Sequence, residues 1–136
     1  MQSNSAIALT LIIGWTLFLL LLMEALRTRY ILSKTVASNA LKPDNSNLPQ
    51  FMQRLARAHA NCFESFPIIG GLLIVALLTN RAAVTDGLAF WLFGARVVQS
   101  TIHMISTSVM FANLRFLAFL VQIVICIYWL WALLLH

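Results

Sequence analysis

Residues 57–67 read Arg-Ala-His-Ala-Asn-Cys-Phe-Glu-Ser-Phe-Pro and run directly into a membrane-length apolar stretch. Arg57, Asn61 and Glu64 are spaced i, i+4 and i+7, so on a helix they form one stripe. A guanidinium and a carboxylate at the mouth of a lipid-embedded helix are retained only where they face protein, water or a ligand. Arg presents a planar fork to a carboxylate, Asn offers a donor and an acceptor, and Glu accepts from an ammonium. The set suits a zwitterionic, peptide-like ligand better than a metal, for which His, Cys or carboxylate ligands must converge. The chain has 3 His, one of them the terminal His136. A purely structural network between helices is the other reading of the same three residues.

A second stripe follows on the third apolar segment, where Arg96, Gln99 and His103 stand at i, i+3 and i+7. Arg96 lies too deep to snorkel to the interface and must pair or face water, and Glu64 on the preceding helix is its natural partner. His103 alone would be read as a satisfied interior group; its place on the Arg96 stripe makes it a candidate. Arg115 opens the fourth segment at the basic border. It either holds a lipid phosphate or stabilises a bound anion, since a guanidinium beside a thiol lowers its pKa from about 8.5 toward neutrality. Near the end of the first segment, Glu24 and Arg27 are at i, i+3, the spacing of a surface ion pair.

These residues must be positioned by membrane helices. The chain has 136 residues, 61% hydrophobic and 10% charged, against about a quarter charged in a soluble domain. Four apolar segments approach or exceed the roughly 20 residues that span a bilayer. The expected architecture is all-α: a single integral-membrane four-helix domain over 1–136, with helices at about 6–30, 48–79, 84–106 and 113–135. Four spans enclose little interior for polar groups, so an oligomer is expected. Residues 33–48, rich in Asn, Asp, Ser and Pro, form the main loop. Asn47 is the expected N-cap of the second helix, with Pro49 in its first turn. Pro67 should kink that helix, and Gly70 and Gly71 should admit a close neighbour. Trp129 and Trp131 read as interfacial anchors.

The net charge of +5 is unevenly placed. Arg27, Arg29, Lys34, Lys42, Arg54 and Arg57 surround the first connection, and Arg115 lies near the third. The opposite side has Arg81 with Asp86. The positive-inside rule puts the first and third connections in the cytoplasm and both termini outside. Topology and anionic lipid account for these basic residues, so nucleic acid is not an expected partner. Cys62 and Cys126 fall in different helices, make no disulfide or metal pattern, and read as small buried hydrophobes. The first segment lacks a basic leader and is long enough to span, so it is not read as a cleaved signal.

The run from Arg57 through His59, Asn61 and Glu64 to Pro67 resembles the helix 2 signature Arg-x-x-x-Asn-x-x-Glu-x-x-Pro. This is the signature of the membrane-associated proteins in eicosanoid and glutathione metabolism, the MAPEG family. The family includes microsomal glutathione transferases, leukotriene C4 synthase and microsomal prostaglandin E synthase. Length, four spans, the polar first loop and the Gly-Ala-Arg96 segment agree with it over essentially the whole chain. The resemblance implies a homotrimer with glutathione as co-substrate, bound between protomers near the cytoplasmic face. It implies that Arg57, Asn61 and Glu64 take the charged ends of the tripeptide and that Arg27 reaches into the same site. Arg96 and Gln99 match further ligand contacts, Arg115 matches the residue that stabilises the thiolate, and His103 stands where the family commonly has Tyr. The implied activity is a glutathione transferase or peroxidase acting on small hydrophobic electrophiles in the bilayer, a detoxification chemistry. Its apolar substrate would enter between helices 1 and 4. The chain is in the shorter, bacterial style, which implies the inner (plasma) membrane. Ala60, Phe116 and Phe119 stand where eucaryotic members carry polar groups, so fewer donors are expected. Those losses favour the alternative, a non-catalytic protein of the same fold that binds another small anion or a lipid.

Overall fold

Apolar runs broken only at loop-forming residues give four long helices. The computed structural model describes residues 2–135: α1 (Asn4–Leu32), α2 (Gln50–Leu78), α3 (Ala82–Ile105) and α4 (Val109–Leu135). Each is long and apolar enough to cross a membrane. Their outer faces expose large side chains such as Leu21, Trp91 and Ile127. Lipid-facing exposure of this kind on all four helices marks a multi-pass integral membrane protein. His136, the expected domain's last residue, lies outside the described residues.

Helix ends follow local chemistry rather than the apolar pattern alone. Ser3 caps α1 through its side chain, which accepts the Ala6 N–H at 3.1 Å. Asn47 does not cap α2, because its amide donates to the Ala40 carbonyl; Pro49 is the cap residue and the helix starts at Gln50. The fourth helix begins four residues before the expected Asn113. The Ser108 side chain accepts the Phe111 N–H, and the Ser108 carbonyl accepts the Ala112 N–H at 2.8 Å. Two helices end in left-handed residues other than glycine, Lys34 after α1 and Asn80 after α2. In each case its own N–H and that of the next residue fold back onto the last turn, as in a Schellman motif.

The loop after α1 is ordered around Asn45, which is fully buried and left-handed at φ 57°. Asn tolerates that conformation because its short side chain bonds locally. Its amide donates to the Met52 carbonyl at 2.7 Å, and its oxygen accepts from Arg27 Nε at 2.8 Å. Arg27 also donates to Glu24 and to the Lys42 and Pro43 carbonyls. Beside it, Asp44 accepts the Ser46 N–H, which holds its carboxyl below the usual carboxylate range.

In the bundle, α3 packs against α1, α2 and α4, whereas α1 and α4 do not run side by side. One core cluster joins Ala8, Ile12, Leu73, Leu92 and Trp129; a second joins Leu19, Met23, Met52, Leu55 and Cys62 toward the loop end. Trp129 is therefore not an interfacial anchor: it is fully buried on the α4 face that also carries Ile125 and Ala132, while Trp131 is half exposed. Pro67 does not break α2, which runs unbroken through it. Gly70 admits the ring of Phe66 from its own helix; a Cβ there would lie 2.6 Å from that ring. A Cβ on Gly71 would meet nothing within 4 Å.

At the end opposite the loop, the turn between α2 and α3 gathers other helix ends. Asp86 accepts the Ser5 N–H at 2.9 Å and its hydroxyl at 2.6 Å. Arg81 donates to the Leu133 and Ala132 carbonyls in the last turn of α4.

Candidate functional site

Between the two apolar clusters the bundle carries a layer of polar side chains. Arg96 is buried on α3 and donates through Nη1 to Asn61 Oδ1 on α2 at 2.6 Å. Gln99, one turn further along α3, donates to the same oxygen at 3.5 Å. Its own oxygen accepts from Gln122 Nε2 on α4 at 2.8 Å. Gln122 also donates to the Ala118 carbonyl of its own helix at 3.0 Å. Nearby, Cys62 and Ser100 meet through a buried contact of 3.1 Å. A buried polar group must be partnered in this way, because nothing in hydrocarbon replaces water.

The expected Glu64–Arg96 bridge does not form. Among the described residues the one ion pair is Arg27–Glu24. Asn61 points its oxygen at the guanidinium, while Glu64, one turn on, is exposed. A neutral amide in place of a carboxylate leaves the guanidinium charge uncancelled. Arg96 Nη2 and Gln122 Oε1 have no hydrogen-bond partner in the described chain.

These residues wall a cleft between α2 and α4 with α3 as its floor. Its inner part, about 280 Å³, is lined by Asn61, Glu64, Arg96, Phe119, Gln122 and Cys126, among others. Its outer part, about 320 Å³, is lined by Asn61, Gln99, Ala112, Arg115, Phe116 and Phe119. Asn61 and Phe119 wall both parts, so the two adjoin. A third, apolar stretch along Gly71, Val75, Ile127 and Leu130 continues past Ile68 and Cys126 toward the opposite end. A separate apolar groove of about 440 Å³ runs between α1 and α2, with His59 and Phe63 on its wall.

The structure thus brings together five of the residues singled out from sequence: Asn61, Glu64, Arg96, Gln99 and Arg115. Three are placed elsewhere. Arg57 is exposed and lines a small polar recess with Gln50, Gln53, Arg54 and Thr107. Arg27 is fastened to the first loop, with Nε and both Nη nitrogens donating. His103 is buried one turn beyond Gln99 and outside both parts of the cleft. An α1–α4 doorway is not present within one chain, since those helices are not neighbours. Gln122 was not anticipated. The signal available was a lone amide inside a long apolar run, with no second polar residue one turn away to make a stripe.

In chemical terms the cleft offers a buried cationic donor, a partly exposed guanidinium at the mouth and one exposed carboxylate. It is polar and charged toward Arg115 and apolar toward the opposite end. The family model described as MAPEG family matches residues 5–135, nearly the whole chain. Neither a curated protein nor a solved structure matches the chain significantly.

Proposed function

The chain belongs to the MAPEG family, and from that premise we propose that it is a membrane-bound glutathione transferase with peroxidase capacity. The observation that carries this reading is the cleft in which Arg115 stands with Asn61 and Gln99 on one wall and Arg96 behind them. Glutathione brings two carboxylates, one ammonium and a thiol. Arg96, Arg115 and the nearby Arg57 supply cations for the carboxylates and the thiolate, and Glu64 supplies the acceptor for the ammonium. Arg57 and Glu64 are exposed on a single chain. A neighbouring copy would cover them, which supports an oligomer with its sites between protomers; that the oligomer is a homotrimer is what the family resemblance implies. Arg27 serves in this arrangement by holding the first loop at the rim.

The chemistry needs no more than an ionised, positioned thiol. Arg115 favours the thiolate, and the proton leaves to water at the open mouth. The sulfur lone pair attacks a hydrophobic electrophile dissolved in the bilayer; a C–S bond forms and the leaving group departs with its electron pair. With a hydroperoxide, the thiolate takes the distal OH as the O–O bond breaks, and the leaving alkoxide takes a proton from water to become the alcohol. A second glutathione then converts the sulfenic acid to the disulfide and water. Positioning and electrostatic stabilisation supply the rate. A part for His103 as base requires it to leave its buried position. The basic border, with the first and third connections, faces the cytoplasm and both termini lie outside; in a bacterium the membrane is the inner one.

The test is a thiolate titration. Ultraviolet thiolate absorbance of bound glutathione is followed with pH for the wild type, Arg115→Ala and His103→Gln. The wild type should shift the thiol from about 8.5 to near 7, equivalent to about 2 kcal/mol, and Arg115→Ala should abolish the shift. A shift that survives Arg115→Ala removes the residue from its role; loss in His103→Gln assigns the base. Phe116 and Phe119 beside Arg115 support a second reading, a lipid or other small anion held without turnover. It predicts no glutathione signal in any of the three proteins.

A further inference from the structure

We propose that Gln122 is a positioning residue that, through Gln99 and together with Arg96, fixes which way the Asn61 carboxamide faces, so that Asn61 meets its ligand as a hydrogen-bond donor. The proposal rests on the glutathione reading for its ligand but not for its geometry.

A carboxamide can turn over and exchange donor for acceptor, so its orientation must be set by partners whose polarity is fixed. Both ends of this network have such a partner. At one end, the Ala118 carbonyl is an acceptor only, and Gln122 must therefore turn its Nε2 toward it. That same Nε2 reaches Gln99, which must answer with its oxygen. Gln99 is then left with its Nε2 facing Asn61, whose oxygen accepts. At the other end, the Arg96 guanidinium is a donor only, and it also requires the oxygen of Asn61. The two ends agree, and a reversed Gln99 would set two NH₂ groups against each other at Gln122 and two oxygens at Asn61.

The consequence for recognition follows directly. The Asn61 oxygen is taken by Arg96 and Gln99, so its NH₂ is what remains for a ligand. Arg96 Nη2, buried and unpartnered on the wall of the same cleft, is a second donor. Two donors on one cleft wall, one of them cationic, select an acceptor oxygen, and a carboxylate above a neutral carbonyl. Gln122 touches no reacting atom; it acts through Gln99 upon Asn61. It is 1% exposed and stands in the apolar middle of α4, where an amide is retained only if its bonds matter.

The experiment compares binding of glutathione and of its dimethyl ester to the detergent-solubilised full chain, for wild type, Gln122→Met, Gln99→Met and the double variant. Met keeps the length of the side chain and removes the donor. Gln122→Met should cut the preference for the free acid by about tenfold, the factor carried by one charge-assisted hydrogen bond. Gln99→Met should do the same, and the double variant no more than either alone. A merely structural Gln122 would weaken both ligands by the same factor, and that outcome, or no change, overturns the proposal. In parallel, the side-chain amide signals of Asn61 and Gln99 are recorded in ¹⁵N-labelled protein without ligand. Both should move in Gln122→Met; a stationary Asn61 signal also overturns the relay. A wild type that binds neither compound ends the glutathione reading, and the amide signals still decide the relay.

Discussion

Removing the Arg27 guanidinium should unfasten the loop after α1, and the size of the effect can be worked from its bonds. In Arg27→Ala the oxygen of Asn45, a fully buried residue, loses its charged donor at 2.8 Å. Such a bond contributes about 1.5–3 kcal/mol. The bonds to the Lys42 and Pro43 carbonyls are exposed, and water replaces the guanidinium there at little cost. The Glu24 carboxylate is half exposed, so that ion pair adds almost nothing. The total is about 2 kcal/mol, or about 30-fold in the opening equilibrium of the loop. Hydrogen exchange of residues 33–49 read by mass spectrometry in lipid nanodiscs should show that acceleration. Asn45→Ala, which loses the same contact and also the Met52 bond in a left-handed residue, should accelerate it at least as much. Unchanged loop protection in Arg27→Ala together with lost glutathione binding would refute the reasoning. Arg27 would then leave the loop to reach the ligand, as the resemblance to its family implied.

Two further outcomes are expected. Gly70→Ala should lower the thermal midpoint in detergent, because the new methyl displaces the Phe66 ring at a cost of about 1 kcal/mol; Gly71→Ala, which meets open space, should leave the midpoint unchanged or raise it, and equal losses would refute the distinction. The Asp44 carboxyl is held below its ordinary 3.8 in the folded loop by the Ser46 N–H. A depressed carboxylate stabilises the loop above its unfolded pKa and loses that contribution as pH falls through the folded value. Loop protection in hydrogen exchange should therefore fall only in acid below about pH 4, and Asp44→Asn should flatten that fall.

The four helices and both polar stripes were legible because they repeat: apolar length sets a span, and i, i+4, i+7 sets a face. Partner choice was not. Glu64 looked like the mate of Arg96 because opposite charges on adjacent helices suggest a bridge. The choice between Asn61 and Glu64 depends on one turn of helix and on which side of α2 meets α3, a rotation that spacing does not fix. Trp129 looked interfacial because tryptophan near a span end usually is. Its burial depends on sharing a face with Ile125 and Ala132, and in a run that is apolar all round no face stands out. Gln122 hid for the same reason. The ends of α2 and α4 were misplaced because Asn47 spends its side chain on the loop and Ser108 supplies the cap, both tertiary or local choices that composition leaves open.

The short connection at 80–86 has a mechanical meaning. It joins α2 to α3 covalently, binds the start of α1 through Ser5 and Asp86, and clasps the last turn of α4 through Arg81. All four helices are therefore tied at one membrane face. The polar cleft lies at the other half of the bundle, where α4 is joined to α3 by a short link and the Gln122–Gln99 bond, and where Arg27 and Asn45 fasten the loop between α1 and α2. With the ties gathered at the Arg81–Asp86 end, a parting of α2 from α4 would open widest toward Arg115.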